Sequence, residues 1–267
     1  MTTCSLTPAV VATVGTTHPL AFAGLAFAVL ALAADGVRPV CVVAGVSAQD
    51  ATHVLARSAV DAATIGAQFA ALREAHVAAF HVGALLSAGA VRAVAEGLAA
   101  YPGVPVVVDP VFAATGGDAL ADDATRAALR ETLIPRATLV TPNLDEASAL
   151  LGERIDELDA MHAAARAFVA LGARAALVKG GHLRGDAVDV LADDARTREL
   201  AAPRLPGALR GTGDLLASTI AAALARGATL DAAVDRARAR VRDAITRGVA
   251  FAGTRVAPVP ANDEGPS

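Results

Sequence analysis

The sequence predicts an α/β protein, a mainly parallel sheet with helices on both faces. Three observations carry that prediction. Short runs such as Val104 to Val108 are apolar throughout, as strands buried on both faces are. Helical stretches of crossover length alternate with those runs. Three successive strands end in Asp109, Asn143 and Lys179, at the sheet edge where open α/β folds bind ligands.

Taken in order, Ala9 to Val14 reads as a buried strand broken by Gly15-Thr-Thr-His-Pro19, and Leu20 to Ala34 as a helix closed by Asp35-Gly36. Val37 to Ala44 is a β-branched strand, with Pro39 placing its start at an edge or first position. Ser47 to Asp50 reads as a loop, Ser58 to Glu74 as a helix, and Ala79 to Val82 as a short strand. Ser87 opens a helix through about Ala100. Val104 to Val108 ends in Asp109-Pro110, Leu139 to Thr141 in Pro142-Asn143, and Ala175 to Val178 in Lys179-Gly-Gly-His182. Helices are expected over about Ala121 to Glu131, Leu158 to Leu171 and Asp231 to Gly248. Val188 to Leu191 reads as a hairpin arm turned at Arg184-Gly-Asp186. No repeat or linker divides the chain, so one domain over residues 1–267 is expected, with about 258–267 as a flexible polar tail.

Hydrophobic residues make up 54% of the 267 and the formal net charge is -4, which describes a large core with no electrostatic bias toward nucleic acid or anionic membrane. Phosphate, if bound, must be held locally. Lys179 is the only lysine in the sequence, so its place at a strand end is informative. Two cysteines give no disulfide framework and suit a reducing cytoplasm, and the six histidines form no zinc motif. Pro19 to Ala34 is small and apolar but short for a membrane span and lacks a basic n-region. It is expected to be a helix buried on all sides or packed into a subunit interface.

The chemistry centres on Gly211-Thr212-Gly213-Asp214, a glycine turn running into an alanine-rich helix. The glycines permit a tight turn, the first helical N–H groups point at an anion, and Asp214 stands in the first helical turn as a candidate proton acceptor. The same pattern also fits a helix start with an acidic first turn. Asn143 and Glu146 read equally as a capping box and as site residues; the two roles are compatible. Asp118 after Gly116-Gly117 reads as a turn acid, and Gln49 as a loop residue. His18 and His182 lie in candidate site loops without a defined partner. Asp109, Asn143, Glu146, Lys179 and the glycine turn together are the inventory for phosphoryl transfer with Mg²⁺.

Val107-Val-Asp-Pro-Val111 with Gly117-Asp118, Thr141-Pro-Asn-Leu-Asp-Glu146, Val178-Lys-Gly-Gly-His-Leu183 and Gly211-Thr-Gly-Asp214 occur in this order and spacing. From about Val37 to Val249 the chain resembles the hydroxymethylpyrimidine/phosphomethylpyrimidine kinases of thiamine biosynthesis, in the ribokinase-like superfamily. The resemblance implies a three-layer αβα sandwich and a cytoplasmic homodimer. It also implies use of ATP and Mg²⁺ to phosphorylate the hydroxymethyl group of 4-amino-5-hydroxymethyl-2-methylpyrimidine, its monophosphate, or both. By position, it implies Asp214, Gly211, Thr212 and Gly213 as the catalytic turn. Lys179, Asn143, Thr141 and Gly181 fall on the nucleotide side, Gln49, Gly15 and Val111 on the substrate side, and Asp109 and Glu146 at the metal.

Two positions depart from the family. Asp214 stands where the pyrimidine kinases typically carry cysteine, and in this it looks like the sugar and pyridoxal kinases. The family's polar N-terminal loop and first-helix aspartate are replaced by Gly15-Thr-Thr-His-Pro-Leu-Ala-Phe-Ala-Gly24 and, on or near it, Ala28. Asp214 makes pyridoxal or another vitamin precursor the alternative substrate. A pyrimidine- or nucleotide-binding homologue impaired in catalysis is the alternative of a different class.

Overall fold

The computed structural model describes residues 8–114, 117–181 and 185–258. Nine strands form one sheet: β1 (Val10–Thr17), β2 (Arg38–Gln49), β3 (Val54–Ala59), β4 (Val77–Val82), β5 (Val106–Val108), β6 (Leu139–Val140), β7 (Ala175–Lys179), β8 (Ala187–Asp193) and β9 (Thr197–Ala202). Their order is β3-β2-β1-β4-β5-β6-β7-β8-β9. The six central strands are parallel, and β3, β8 and β9 add antiparallel edges.

Alternate strand residues feed two cores. Val14, Phe80, Val82, Val108, Val140 and Val178 pack with residues of α2 (Ala62–Ala71), α3 (Ala88–Ala99), α4 (Asp123–Ala128), α5 (Leu144–Leu151) and α6 (Leu158–Ala170). Val11, Ala79, Val107, Leu139 and Leu177 pack with α1 (Gly24–Ala34), α7 (Thr212–Ala225) and α8 (Leu230–Arg247). The result is the expected three-layer αβα sandwich. Parallel strands buried on both faces explain the continuous apolar runs.

Several boundaries differ from expectation for identifiable reasons. The first helix begins at Gly24 rather than Leu20, because Gly24 has φ +69° and its N–H is drawn to Asp214 on α7. Gly15 to Thr17 continue β1 instead of breaking it. Ser47 to Gln49 continue β2, and Asp50 closes the hairpin to β3 by accepting the N–H groups of Thr52 and His53 at 2.7 and 2.8 Å. Ser58 consequently lies in β3, and the next helix waits for its N-cap Asp61. After α4 the chain widens into a π-turn at Leu129–Leu133 and tightens at Ile134–Arg136 around Pro135. The arm at Val188 is longer than expected and gains a partner in β9, and a small hairpin, β10 (Val249–Phe251) and β11 (Thr254–Val256), follows α8. His182 and the tail 259–267 lie outside the described residues.

The apolar first helix is buried on one side only: Phe27, Ala28, Ala31 and Leu32 are nearly or wholly inaccessible, whereas Leu30 is 38% exposed and Ala33 and Ala34 are open, so it is not buried on all sides as expected. Among the described residues no helix is long and apolar enough to cross a membrane.

Candidate active site

The carboxyl ends of β5, β6 and β7 bring three polar side chains together. Lys179 Nζ donates to Asp109 Oδ1 at 2.8 Å, and the Thr141 hydroxyl donates to the same oxygen at 2.9 Å. Glu146 Oε2 lies 4.0 Å from Lys179 Nζ. Asn143 caps α5 in a capping box: its Oδ1 accepts the Glu146 N–H at 2.8 Å, and Glu146 Oε2 accepts the Asn143 N–H at 2.7 Å. Both readings of Asn143-x-x-Glu146 therefore hold together, because the cap holds the carboxylate beside the ammonium.

The glycine turn meets this cluster from the other side. Gly211 is the N-cap of α7 with φ +82°, and no side chain caps the first N–H groups. Only glycine fits there, since a Cβ would collide with Phe22 O. At Gly213 a Cβ would stand 2.8 Å from Asp109 Oδ2 and 3.6 Å from Lys179 Nζ, so the turn directly overlies the charged pair. Asp214 Oδ2 accepts the Gly24 N–H at 2.8 Å, while Oδ1 faces Gly83, 3.6 Å from where a Cβ there would lie.

Burial raises the Asp214 carboxyl to about 6, with Asp109 adding to the rise and the Gly24 N–H and Lys179 opposing it. Burial also lifts Glu146 above the usual carboxylate range, against the pull of Lys179. For Lys179 burial works against the charge, but Asp109 and Glu146 outweigh it and hold the ammonium above its ordinary value. The corner thus contains one firmly held cation and a carboxyl poised near neutrality.

Asp109 and Glu146 are the residues that could hold a metal. Among the described residues no group of three or more His, Cys, Asp or Glu side chains forms a metal cage. Two carboxylates beside an anion-binding turn suit a hard cation completed by phosphate oxygens and water.

Gly15 lies in β1 against Gly83 and Ala84, on the same edge as the cluster. Gln49 lies on the β2–β3 hairpin, Val111 follows Asp109 in a turn closed by its N–H to Asp109 O at 2.9 Å, and the Gly181 carbonyl accepts Arg204 Nη1. Among the described residues no hydrogen bond or ion pair joins Gln49 or Gly181 to the Asp109–Lys179 cluster, and Val111 meets it only through that backbone bond to Asp109. The hairpin is pinned at two points: Asp118 Oδ2 accepts the Val54 N–H at 2.6 Å, and Arg210 donates to Ala51 O. Asp118 is thus more than a turn acid. His18 is buried against Phe22, with ring centroids 4.6 Å apart.

Three site features escaped the sequence. Gly24 reaches Asp214 across 190 positions. His81, buried in β4, shares a 3.0 Å hydrogen bond with Thr13, and burial lowers it to about 4 against the pull of Asp109. Asp189 faces Lys179 across the β7–β8 pair. The signal for His81 was present as one polar residue inside an apolar strand, and Thr13 repeats it in β1.

The family profile of phosphomethylpyrimidine kinase matches residues 19–259. The chain belongs to the phosphomethylpyrimidine kinase family. It is a small-molecule kinase of that family. It is 39% identical over 250 residues to the hydroxymethylpyrimidine/phosphomethylpyrimidine kinase of Streptomyces coelicolor, covering 93% of each chain. The crystal structure of phosphomethylpyrimidine kinase from Clostridium difficile 630 is similar with a TM-score of 0.79 at 27% identity, covering 89% of this chain and 99% of that one. An ADP complex of Bacillus subtilis pyridoxal kinase is similar with a TM-score of 0.85, also at 27% identity, covering 94% and 97%.

Proposed function

We propose that this kinase transfers the γ-phosphate of ATP to the hydroxymethyl group of 4-amino-5-hydroxymethyl-2-methylpyrimidine, to its monophosphate, or to both, in thiamine biosynthesis. The observation that carries the reading is the meeting of the Gly211–Gly213 turn, Asp214 and the Asp109–Lys179 pair at one sheet edge. The name carried by the Streptomyces coelicolor relative supports the substrate.

In this reading Asp214 Oδ1 takes the proton of the substrate hydroxyl as its oxygen attacks the γ-phosphorus. A carboxyl poised at about 6 is charged at neutral pH yet basic enough to accept a proton. The new oxygen–phosphorus bond forms, the bond to the β-phosphate breaks, and ADP leaves. The backbone N–H groups of Gly211, Thr212 and Gly213 hold the phosphoryl charge as it shifts. Lys179 neutralises the phosphates, its direction fixed by Asp109, whose Oδ1 also accepts the Thr141 hydroxyl. Asn143 and Gly181 border the nucleotide, and Gly15, Gln49 and Val111 border the substrate. Asp109 and Glu146 would hold Mg²⁺, which would supply charge neutralisation to the phosphates. The reading includes one domain, a cytoplasmic setting and a homodimer; sedimentation velocity measures the assembly.

A second reading, pyridoxal as substrate, is favoured by Asp214 in place of the family cysteine. An ADP-release screen with hydroxymethylpyrimidine, its monophosphate, pyridoxal and several sugars separates the readings. Turnover of pyridoxal alone would transfer the assignment to the second; ligand binding without ADP from any alcohol would contradict both.

A further inference from the structure

Lys179 and the turn that follows it are held from behind by a charged pair that the reaction scheme does not use. Asp189 sits opposite Lys179 in the antiparallel β7–β8 register. Its carboxylate is divided between two tasks: Oδ1 accepts the Gly180 N–H at 3.1 Å, and Oδ2 accepts Arg238 Nε at 2.8 Å. Arg238 comes from α8 and also donates to Leu200 O on β9. Both side chains are largely buried, 18% and 16% exposed. Gly180 is closely packed, since a Cβ there would collide with Val188 O and reach 2.9 Å from Met161 Cε. The next carbonyl, Gly181 O, is tied to Arg204.

Helix α8 packs along α7, the helix that begins at the Gly211 turn. One helix therefore braces both walls of the phosphate corner: α7 by direct packing, and the Lys179–Gly181 turn through Arg238 and Asp189. The other buried aspartate tied to α8, Asp35, meets Arg240 and Arg236 at the end of α1. By contrast, the Asp189–Arg238 pair gives one carboxylate oxygen to backbone beside the site.

We propose that Asp189, clamped by Arg238, is a positioning residue for the phosphate donor, fixing Lys179 and the Gly180–Gly181 turn at the angle that the α7 turn requires. It rests on the reading of this corner as the ATP phosphate site. Asp189 touches neither nucleotide nor alcohol in this arrangement; it acts through Lys179 and Gly180.

The test compares wild type with Asp189→Asn, Arg238→Met and Arg238→Lys. ATP KM and kcat are measured at saturating alcohol, the alcohol KM at saturating ATP, and the melting temperature for each. Asp189→Asn and Arg238→Met are expected to raise the ATP KM roughly tenfold, as when the partner of a ligating group is removed, with the alcohol KM unchanged. Arg238→Lys keeps the charge but not the planar fork, and is expected to fall between wild type and Arg238→Met. The double variant should be no worse than the weaker single one, since both changes cut the same link. A lowered melting temperature with an unchanged ATP KM in Asp189→Asn and Arg238→Lys would show a purely structural pair and overturn the proposal. Wild type without ATP affinity would remove this proposal together with the reading it rests on, whereas an active wild type beside unaffected variants removes the positioning role alone.

Discussion

Replacing Asp214 by asparagine should make the protein more stable at pH 8 while removing most of its activity. The carboxyl is 7% exposed, and its pKa rises from 3.8 to about 6, chiefly through burial. A rise of about two units corresponds to about 3 kcal/mol at ~1.36 kcal/mol per unit. The folded pKa lies above the unfolded one, so between about 4 and about 6 the folded state binds the extra proton. This group's contribution to stability is therefore favourable at low pH, is lost as pH rises through that window, and leaves the full cost above it. Asparagine keeps the shape and can still accept the Gly24 N–H through its Oδ1, but carries no charge. Its buried NH₂ gives back about 1 kcal/mol, leaving an expected gain of about 1–3 kcal/mol, or roughly 2–6 °C in a chain of this size. Thermal unfolding of both proteins from pH 4 to 9 should show the melting curves converging at the acid end and separating above pH 6. With ATP and alcohol saturating, kcat at pH 8 should fall by roughly 10²–10⁴. A variant less stable at pH 8, equally stabilised at pH 4, or within tenfold of wild-type turnover would refute the reasoning.

In wild type, kcat/KM should fall about tenfold per unit below pH 6 as Asp214 protonates, measured by ADP release from pH 5 to 8. Lys179→Met strands Asp109, which is 2% exposed, and should cost about 3–5 kcal/mol in chemical denaturation as well as abolishing turnover. Gly213→Ala places a methyl 2.8 Å from Asp109 Oδ2 and should lower kcat by roughly a hundredfold, the scale of an ångström-sized misplacement, in the same ADP-release assay. Glu146→Ala removes half of the capping box and one carboxylate. It should raise the Mg²⁺ concentration needed for half-maximal rate, measured by ADP release across a Mg²⁺ titration.

The layered fold was readable because its central strands are covered on both sides: Val106 to Val108 and Ala175 to Val178 have no solvent face, so they show as unbroken apolar runs. Asn143 and Glu146 were readable because a capping box is local, closed within four residues. Edge strands were harder. In β9, Thr197-Arg-Glu-Leu-Ala-Ala has a single buried residue, Leu200, and its polar alternation hides the strand. The β2–β3 hairpin is held by Asp118 and Arg210, 64 and 159 positions from the residues they bind, so nothing local marks Ser47 to Gln49 as extended. The start of α1 is governed the same way, by Asp214 across 190 positions. Residues whose chemistry is local were found, and those placed by distant partners were not.

Lys179 is the only lysine in the sequence, and its amine is largely shielded and held protonated by Asp109 and Glu146. Amine-directed chemistry therefore has a single side-chain target, and that target lies in the Asp109–Lys179 cluster. Acetylation, carbamylation or reaction with an activated ester, followed by mass spectrometry of the peptide carrying residue 179, reports how open that corner is, with no need to introduce a probe. Nucleotide protection of one peptide then becomes a binding measurement.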